Sequence, residues 1–253
     1  MRLSHIQYHL TEHCNLNCKA CSHFSSIAKP EFKDIEQNKK DLTRLSQLFD
    51  GIDRIIIMGG EPLLHEKVLE FAINARNLFP CSNITIFTNG ILLPKMDKNF
   101  WETLNKNSIE IEMTVYPLFH KIKDEMIEVA RKYGIRLLTV PKKSFAKFLV
   151  LDGSLDKQEM FNKCDGKICH NIRNGMIATC YMPFFIDHFN KKFNENLPNN
   201  DVLNIYDENI TTQKIIDFLN TPNEICKYCL WPPIWFPWDK SYNPEKLDWI
   251  VKE

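Results

Sequence analysis

The chain has 253 residues, of which 44% are hydrophobic, and its 32 Lys plus Arg balance 32 Asp plus Glu. That length can bury a core as one large domain, or as a medium domain and a small one, so no disulfide staple is needed for folding. Zero formal charge and the lack of any run of 18 apolar residues argue against a nucleic-acid partner and against a membrane span.

Taken in chain order, the first part alternates β-rich runs with helical patterns. "IQYHL" (6–10) is a strand candidate, followed by a helix near 36–49 where Leu42, Leu45 and Leu48 recur at a spacing of three. "RIIIMGG" (54–60), a helix near 65–78, "NITIFTNG" (83–90), a helix near 97–105, "IEIEMTV" (109–115), a helix near 119–132 and "IRLLTV" (135–140) continue the rhythm. A sixth strand candidate is "KFLVL" (147–151). Repeated βα units predict a parallel sheet with covering helices, open or part of a barrel, whose ligands sit at the carboxyl ends of strands.

After about residue 150 the rhythm stops. Asparagine-rich "FNENLPNNDVLN" and proline-rich "WPPIWFPWDKSYNP" replace it, and five of the nine cysteines fall there. A boundary near 150 is expected, giving domains 1–150 and 151–253, the second small, loop-rich and needing more than a core to hold it. The N-terminal "MRLSHIQYHL" alternates polar and apolar residues, unlike a signal peptide, so a cytoplasmic protein is expected. In that compartment an odd set of nine cysteines reads as metal or redox chemistry rather than disulfides.

Cys14, Cys18 and Cys21 lie just past the first predicted strand. Thiolates suit zinc or iron–sulfur clusters, and three of them leave one metal position open unless His13 or His23 fills it. Gly59 and Gly60, after the second strand, would let the backbone approach a ligand, and Glu61 offers a carboxylate to an ammonium group. Thr88 and Asn89 follow the third strand; both motifs are also ordinary turn formers.

"CNLNCKAC", "MGGEP" (58–62) and "TNG" (88–90), at three successive strand ends, resemble the radical S-adenosylmethionine (radical SAM) family. The resemblance covers the first domain and implies an α/β fold, a partial TIM barrel of (β/α)6 type. It implies that Cys14, Cys18 and Cys21 hold a 4Fe-4S cluster and are the catalytic centre. S-adenosyl-L-methionine would chelate the fourth iron, with Gly59, Gly60, Glu61, Thr88 and Asn89 around it. The chain departs from many members in having Ala20, not an aromatic residue, before the third cysteine; Phe24 is the substitute considered, and adenine contacts stay unassigned.

Cys164, Cys169, Cys180, Cys226 and Cys229 form the second group. Asn174-Gly175 between β-type residues signals a hairpin that would set residue 169 opposite 180, with "CKYC" closing the site. A four-cysteine zinc site satisfies this spacing. The arrangement also resembles a shortened SPASM domain, or twitch, which would carry a second, auxiliary 4Fe-4S cluster on Cys180, Cys226, Cys229 and either Cys164 or Cys169. Cys81 is expected to be a buried or half-buried thiol, and Trp231, Trp235 and Trp238 to pack around a cluster. His5, His9, His65, His120, His170 and His188 show no ligand spacing.

The family chemistry implies reductive cleavage of the cofactor and hydrogen abstraction, with an electron donor such as flavodoxin or ferredoxin. Size, motif order and a single auxiliary cluster are similar to those of family members that oxidise aminocyclitol alcohols, so a carbohydrate-like alcohol is the expected substrate. Sugar epimerisation and peptide modification are the alternatives, and a two-zinc binding module is the non-enzymatic one. Glu112, Thr114 and Tyr116, at the end of the fourth strand, are candidates to face the cavity.

Overall fold

The computed structural model describes residues 1–252. It divides into two compact bodies: Met1–Asn15 with Pro30–Lys143, and Leu16–Lys29 with the chain from Ser144 onward. The cut falls at 143/144, and the loop 16–29 belongs with the C-terminal part.

In the first body β1 (Arg2–His9), α1 (Ile35–Leu48), β2 (Gly51–Met58), α2 (Val68–Leu78), β3 (Asn83–Thr88), α3 (Lys98–Lys106), β4 (Ile109–Val115), α4 (His120–Tyr133) and β5 (Leu137–Pro141) alternate. The strands pair in parallel in the order β5-β4-β3-β2-β1. Each of the five was legible as a β-rich run, because parallel strands are apolar on at least one continuous face. Ile55, Ile57, Ile84, Ile86, Ile109, Ile111 and Met113 are buried on one face, and helices α2, α3 and α4 pack against the sheet. The β4 run alternates buried and part-exposed residues without a break, so its opposite face carries Glu110, Glu112 and Thr114. Asp34 and Asp97 start α1 and α3 by accepting from backbone N–H groups at 3.0 and 2.8 Å.

The second body contains β6 (Ser144–Val150), α5 (Lys157–Lys163), β7 (Asn171–Arg173), β8 (Met176–Ala178), α6 (Met182–Phe193), β9 (Leu203–Asn204), α7 (Thr212–Leu219), β10 (Cys229–Pro237) and β11 (Ile250–Lys252). The sixth strand candidate is thus a strand of this body, central to a three-stranded sheet β10-β6-β11, antiparallel to β10 and parallel to β11. The predicted hairpin forms: Asn171 faces Ala178 and Arg173 faces Met176. Its turn places Asn174 at φ 48° and Gly175 at φ 76°, the two left-handed positions that a type I′ turn demands.

The expectation of a body short of core is corrected. Phe24, Leu149, Met182, Phe185, Ile186, Phe189, Trp249 and Ile250 form a continuous buried cluster. Its residues come from the loop 16–29, one helix and the two ends of the C-terminal half, so no local periodicity announces it. Phe24 is fully buried there, its ring 5.7 Å from that of Trp249, which removes it as a stand-in for the aromatic residue missing at position 20. Cys81 is exposed rather than buried, because the turn after α2 sends Ser82 inward to the Ile52 carbonyl instead.

Candidate active site

In the first body the ends of β1, β2 and β3 are tied together by backbone. Gly60 N–H donates to Thr11 O at 2.9 Å and Glu61 N–H to His13 O at 3.1 Å. A Cβ on Gly59 would stand 2.4 Å from Thr11 O, and one on Gly60 only 2.0 Å from His13 O. Both glycines are therefore required by the loop that carries Cys14, and their close approach is to that loop.

Glu61 is fully buried. Its Oε1 accepts from the Thr88 hydroxyl at 2.7 Å and from Leu63 N–H at 3.0 Å, and its Oε2 from Asn89 N–H at 2.8 Å. All these partners are neutral, so burial dominates and raises the carboxyl to about 7. Oε2 keeps acceptor capacity. The Asn89 amide donates to Cys14 Sγ at 3.5 Å and to Asn15 Oδ1 at 2.7 Å. The predicted residues Cys14, Gly59, Gly60, Glu61, Thr88 and Asn89 are thus one connected group.

Cys18 and Cys21 lie in the second body, on successive turns: Cys21 N–H donates to Cys18 O at 3.3 Å and Phe24 N–H to Cys21 O at 2.9 Å. Cys18 is buried, and the Trp238 indole N–H donates to its sulfur at 3.2 Å. Of the tryptophans expected near a cluster, Trp238 is bonded to a cysteine of the first group, and Trp235 lies 55% exposed on β10.

The later cysteines are electrostatic neighbours. Burial pushes the Cys226 thiol up to about 11, with a further upward push from Cys164. Cys180 and Cys229 are raised further, first by desolvation and then by neighbouring thiols, Cys180 by Cys226, Cys164 and Cys169, and Cys229 by Cys180, Cys226 and Cys164. Cys164 therefore couples to all three others, and Cys169 couples to Cys180. Gly166 N–H donates to Cys164 Sγ at 3.2 Å.

Thiols that oppose one another's ionisation give up their protons readily only when a cationic centre compensates them. Both zinc and an iron–sulfur cluster supply such a centre to four cysteines, so the donor set suits either.

Sequence reasoning named Glu112 and Thr114 on the polar face of the first sheet but missed its members from β1, β2 and β3. Parallel register sets His5 beside Arg54, Gln7 beside Ile56, Thr85 beside Glu110 and Phe87 beside Glu112. On that face Arg54 Nη2 lies 3.0 Å from Glu112 Oε2, with its guanidinium 5.2 Å from the Phe87 ring centroid. Alternation along β1 and β2 was the available signal; the apolar run "RIIIM" obscured it.

A sequence model of the Radical SAM superfamily matches residues 8–152, and the chain belongs to that superfamily. Such enzymes employ a 4Fe-4S cluster and S-adenosylmethionine. Among solved structures, BtrN in complex with AdoMet and 2-DOIA superposes with a TM-score of 0.58 at 17% identity over 98% of each chain. Curated relatives include GTP 3',8-cyclase of Alkaliphilus oremlandii, 33% identical over 37% of this chain and 30% of that protein. Molybdenum cofactor biosynthesis protein 1 of Bos taurus is 34% identical over 40% of this chain and 17% of that protein. The chain spans less than a third of the length of these curated relatives. Among the described residues no helix is long and apolar enough to cross a membrane.

Proposed function

We propose that the chain is a radical SAM oxidoreductase that oxidises an alcohol of a small, carbohydrate-like molecule. The observation that carries this reading is the likeness to BtrN, a 2-deoxy-scyllo-inosamine dehydrogenase, which runs through both bodies rather than through the shared core alone. The GTP 3',8-cyclases are similar over 37% to 47% of the chain.

Cys14, Cys18 and Cys21 hold the first cluster in this reading. Glu61 meets the cofactor ammonium, the cation its buried carboxylate lacks, and Thr88 and Asn89 fix that carboxylate in place. Cys164, Cys180, Cys226 and Cys229 hold an auxiliary cluster in a twitch-like second body, and Cys169 is the spare thiol. When bound, the first cluster and cofactor supply a 5'-deoxyadenosyl radical that takes a hydrogen atom from the substrate, and the second cluster supplies an acceptor for the electron released with the proton. The electron that starts each turnover comes from a reduced flavodoxin or ferredoxin.

The polar sheet face favours a substrate without phosphate groups. Its guanidinium groups are already met by carboxylates, Arg54 by Glu112 at 3.0 Å and Arg136, at the edge of β5, by Glu110 at 2.9 Å. A triphosphate would have to displace both. A polyol needs only the acceptors and donors that such pairs offer.

The test is anaerobic reconstitution followed by iron and sulfide counting and an assay for 5'-deoxyadenosine with dithionite and S-adenosylmethionine. About eight irons are expected in the wild type and about four in Cys14→Ala/Cys18→Ala/Cys21→Ala, with cleavage only in the former. Aminocyclitols and GTP are then supplied in parallel. A ketone from an aminocyclitol supports the proposal; cyclised GTP, an epimerised sugar or zinc in place of iron overturns it.

A further inference from the structure

The segment before β11 is bonded repeatedly to the loop that carries Cys18 and Cys21, all within the second body. Lys19 N–H donates to Asp239 O and Ser241 N–H to Asn17 O, each at 2.9 Å, and Cys18 and Lys240 form an antiparallel bridge. Trp249, fully buried, donates its indole N–H to Cys21 O at 2.9 Å, and Lys19 Nζ lies 3.3 Å from Asp248. These contacts fix the loop's backbone. The contact from Trp238 is of another kind, since its N–H reaches the sulfur of Cys18 itself at 3.2 Å.

We propose that Trp238 is a positioning residue of the first cluster: its indole N–H holds the Cys18 sulfur and raises the potential at which that cluster accepts an electron. A donor aimed at a thiolate stabilises negative charge there, and more so once the cluster has gained an electron, so the reduced form benefits most. Cys18 is 4% exposed, and in such surroundings the bond is stronger than it would be in water. The C-terminal segment is then an electronic part of the radical centre as well as its mechanical support.

The inference rests on the reading that Cys18 ligates iron, and the experiment separates the two. The reconstituted full chain is titrated by potential under EPR with and without S-adenosylmethionine; the signal that changes with cofactor belongs to the first cluster. Trp238→Phe keeps an aromatic ring and removes the donor. The expected result is a lower midpoint for that signal, an unmoved second signal, and partial recovery in Trp238→Gln, which restores an N–H. An unchanged midpoint in Trp238→Phe at full iron content overturns the inference, whereas a wild type with no cofactor-responsive signal overturns the reading beneath it. Should Trp238→Phe fail to hold iron, the Trp249→Phe variant, labelled with 15N at its remaining indole nitrogens, decides by pulsed EPR. A 15N coupling to the first cluster supports the bond, and its absence rules it out.

Discussion

The surroundings of the two cysteine groups differ in what they need from a ligand. In the first body, the ends of β1, β2 and β3 are locked by backbone bonds and by the Glu61 bracket, so the turns hold their shape with nothing bound. In the second, four half-buried thiols stand close enough to oppose one another's ionisation, and the segments bearing them come from either side of the hairpin and from the CxxC run. Preorganisation by hydrogen bonds makes the first site a rigid receptor. The second is a site whose parts gain a common anchor from the ion cluster they would bind, so there cluster binding is also folding energy.

The largest effect should come from breaking that anchor. Cys180→Ala and Cys226→Ala are each expected to lose about four of eight irons and to open the region around residues 160–180 and 220–230 to protease. The helices of the first body should remain protected against hydrogen exchange. Cys169→Ala is expected to retain full iron; a loss equal to that of Cys164→Ala would reverse the choice of fourth ligand.

Next in size is Gly60→Ala, which tests the rigid receptor. The added methyl meets His13 O at 2.0 Å and Cys14 N at 2.9 Å, and both are backbone atoms that cannot swing away. A destabilisation of about 3 kcal/mol is expected by denaturant titration, with lowered cofactor cleavage at unchanged auxiliary iron. A neutral substitution would mean that the loop is looser than its bonds imply.

These two cases also mark what could be read before the structure was known. The five parallel strands and four helices of the first body were legible because each buries a face of its own, which leaves a period in the sequence. The strand-end residues were legible for a related reason: βα units place them at one edge. The core of the second body was not, since Phe24, Phe189 and Trp249 meet only through contacts between residues far apart in the sequence, and nothing local marks them. Trp238 was grouped with the other tryptophans as packing, because spacing says nothing about where an indole N–H points. Glu61 was read as a ligand for a cation, but its bracket across to Thr88 and Asn89 depends on the parallel register of β2 and β3.

The pH dependence of stability tests that bracket. In the unfolded chain Glu61 ionises near 4.5, and in the native chain near 7. Between these values the native state binds the extra proton, so its contribution to stability is full below 4.5 and is lost as pH rises through 7. The loss for the cofactor-free chain is at most ~3 kcal/mol. Urea midpoints for wild type should fall from pH 5 to pH 8, and Glu61→Gln should flatten that slope. Parallel slopes would show that Glu61 is ionised throughout and already has its cation.

The smallest expected effect on stability separates scaffold from substrate face. Arg54 and Glu112 are both partly exposed, with side chains 37% and 18% accessible, so their ion pair is worth less than about 1 kcal/mol. Arg54→Met keeps the stem over Phe87 and removes the charge. Folding should be nearly unchanged, and so should cofactor cleavage in the absence of substrate, because neither residue belongs to the bracket at the strand ends. If the polar face receives the alcohol, the cost appears in KM, as Glu112 loses the cation that orients it. An unchanged KM would move substrate binding off this face, to the loops beyond β4 and β5. A fall in stability comparable with that of Gly60→Ala would make the pair a structural tie instead. Both outcomes bear on the same contrast, since a rigid first body can present a substrate surface only if the groups on that surface are not themselves needed to hold it together.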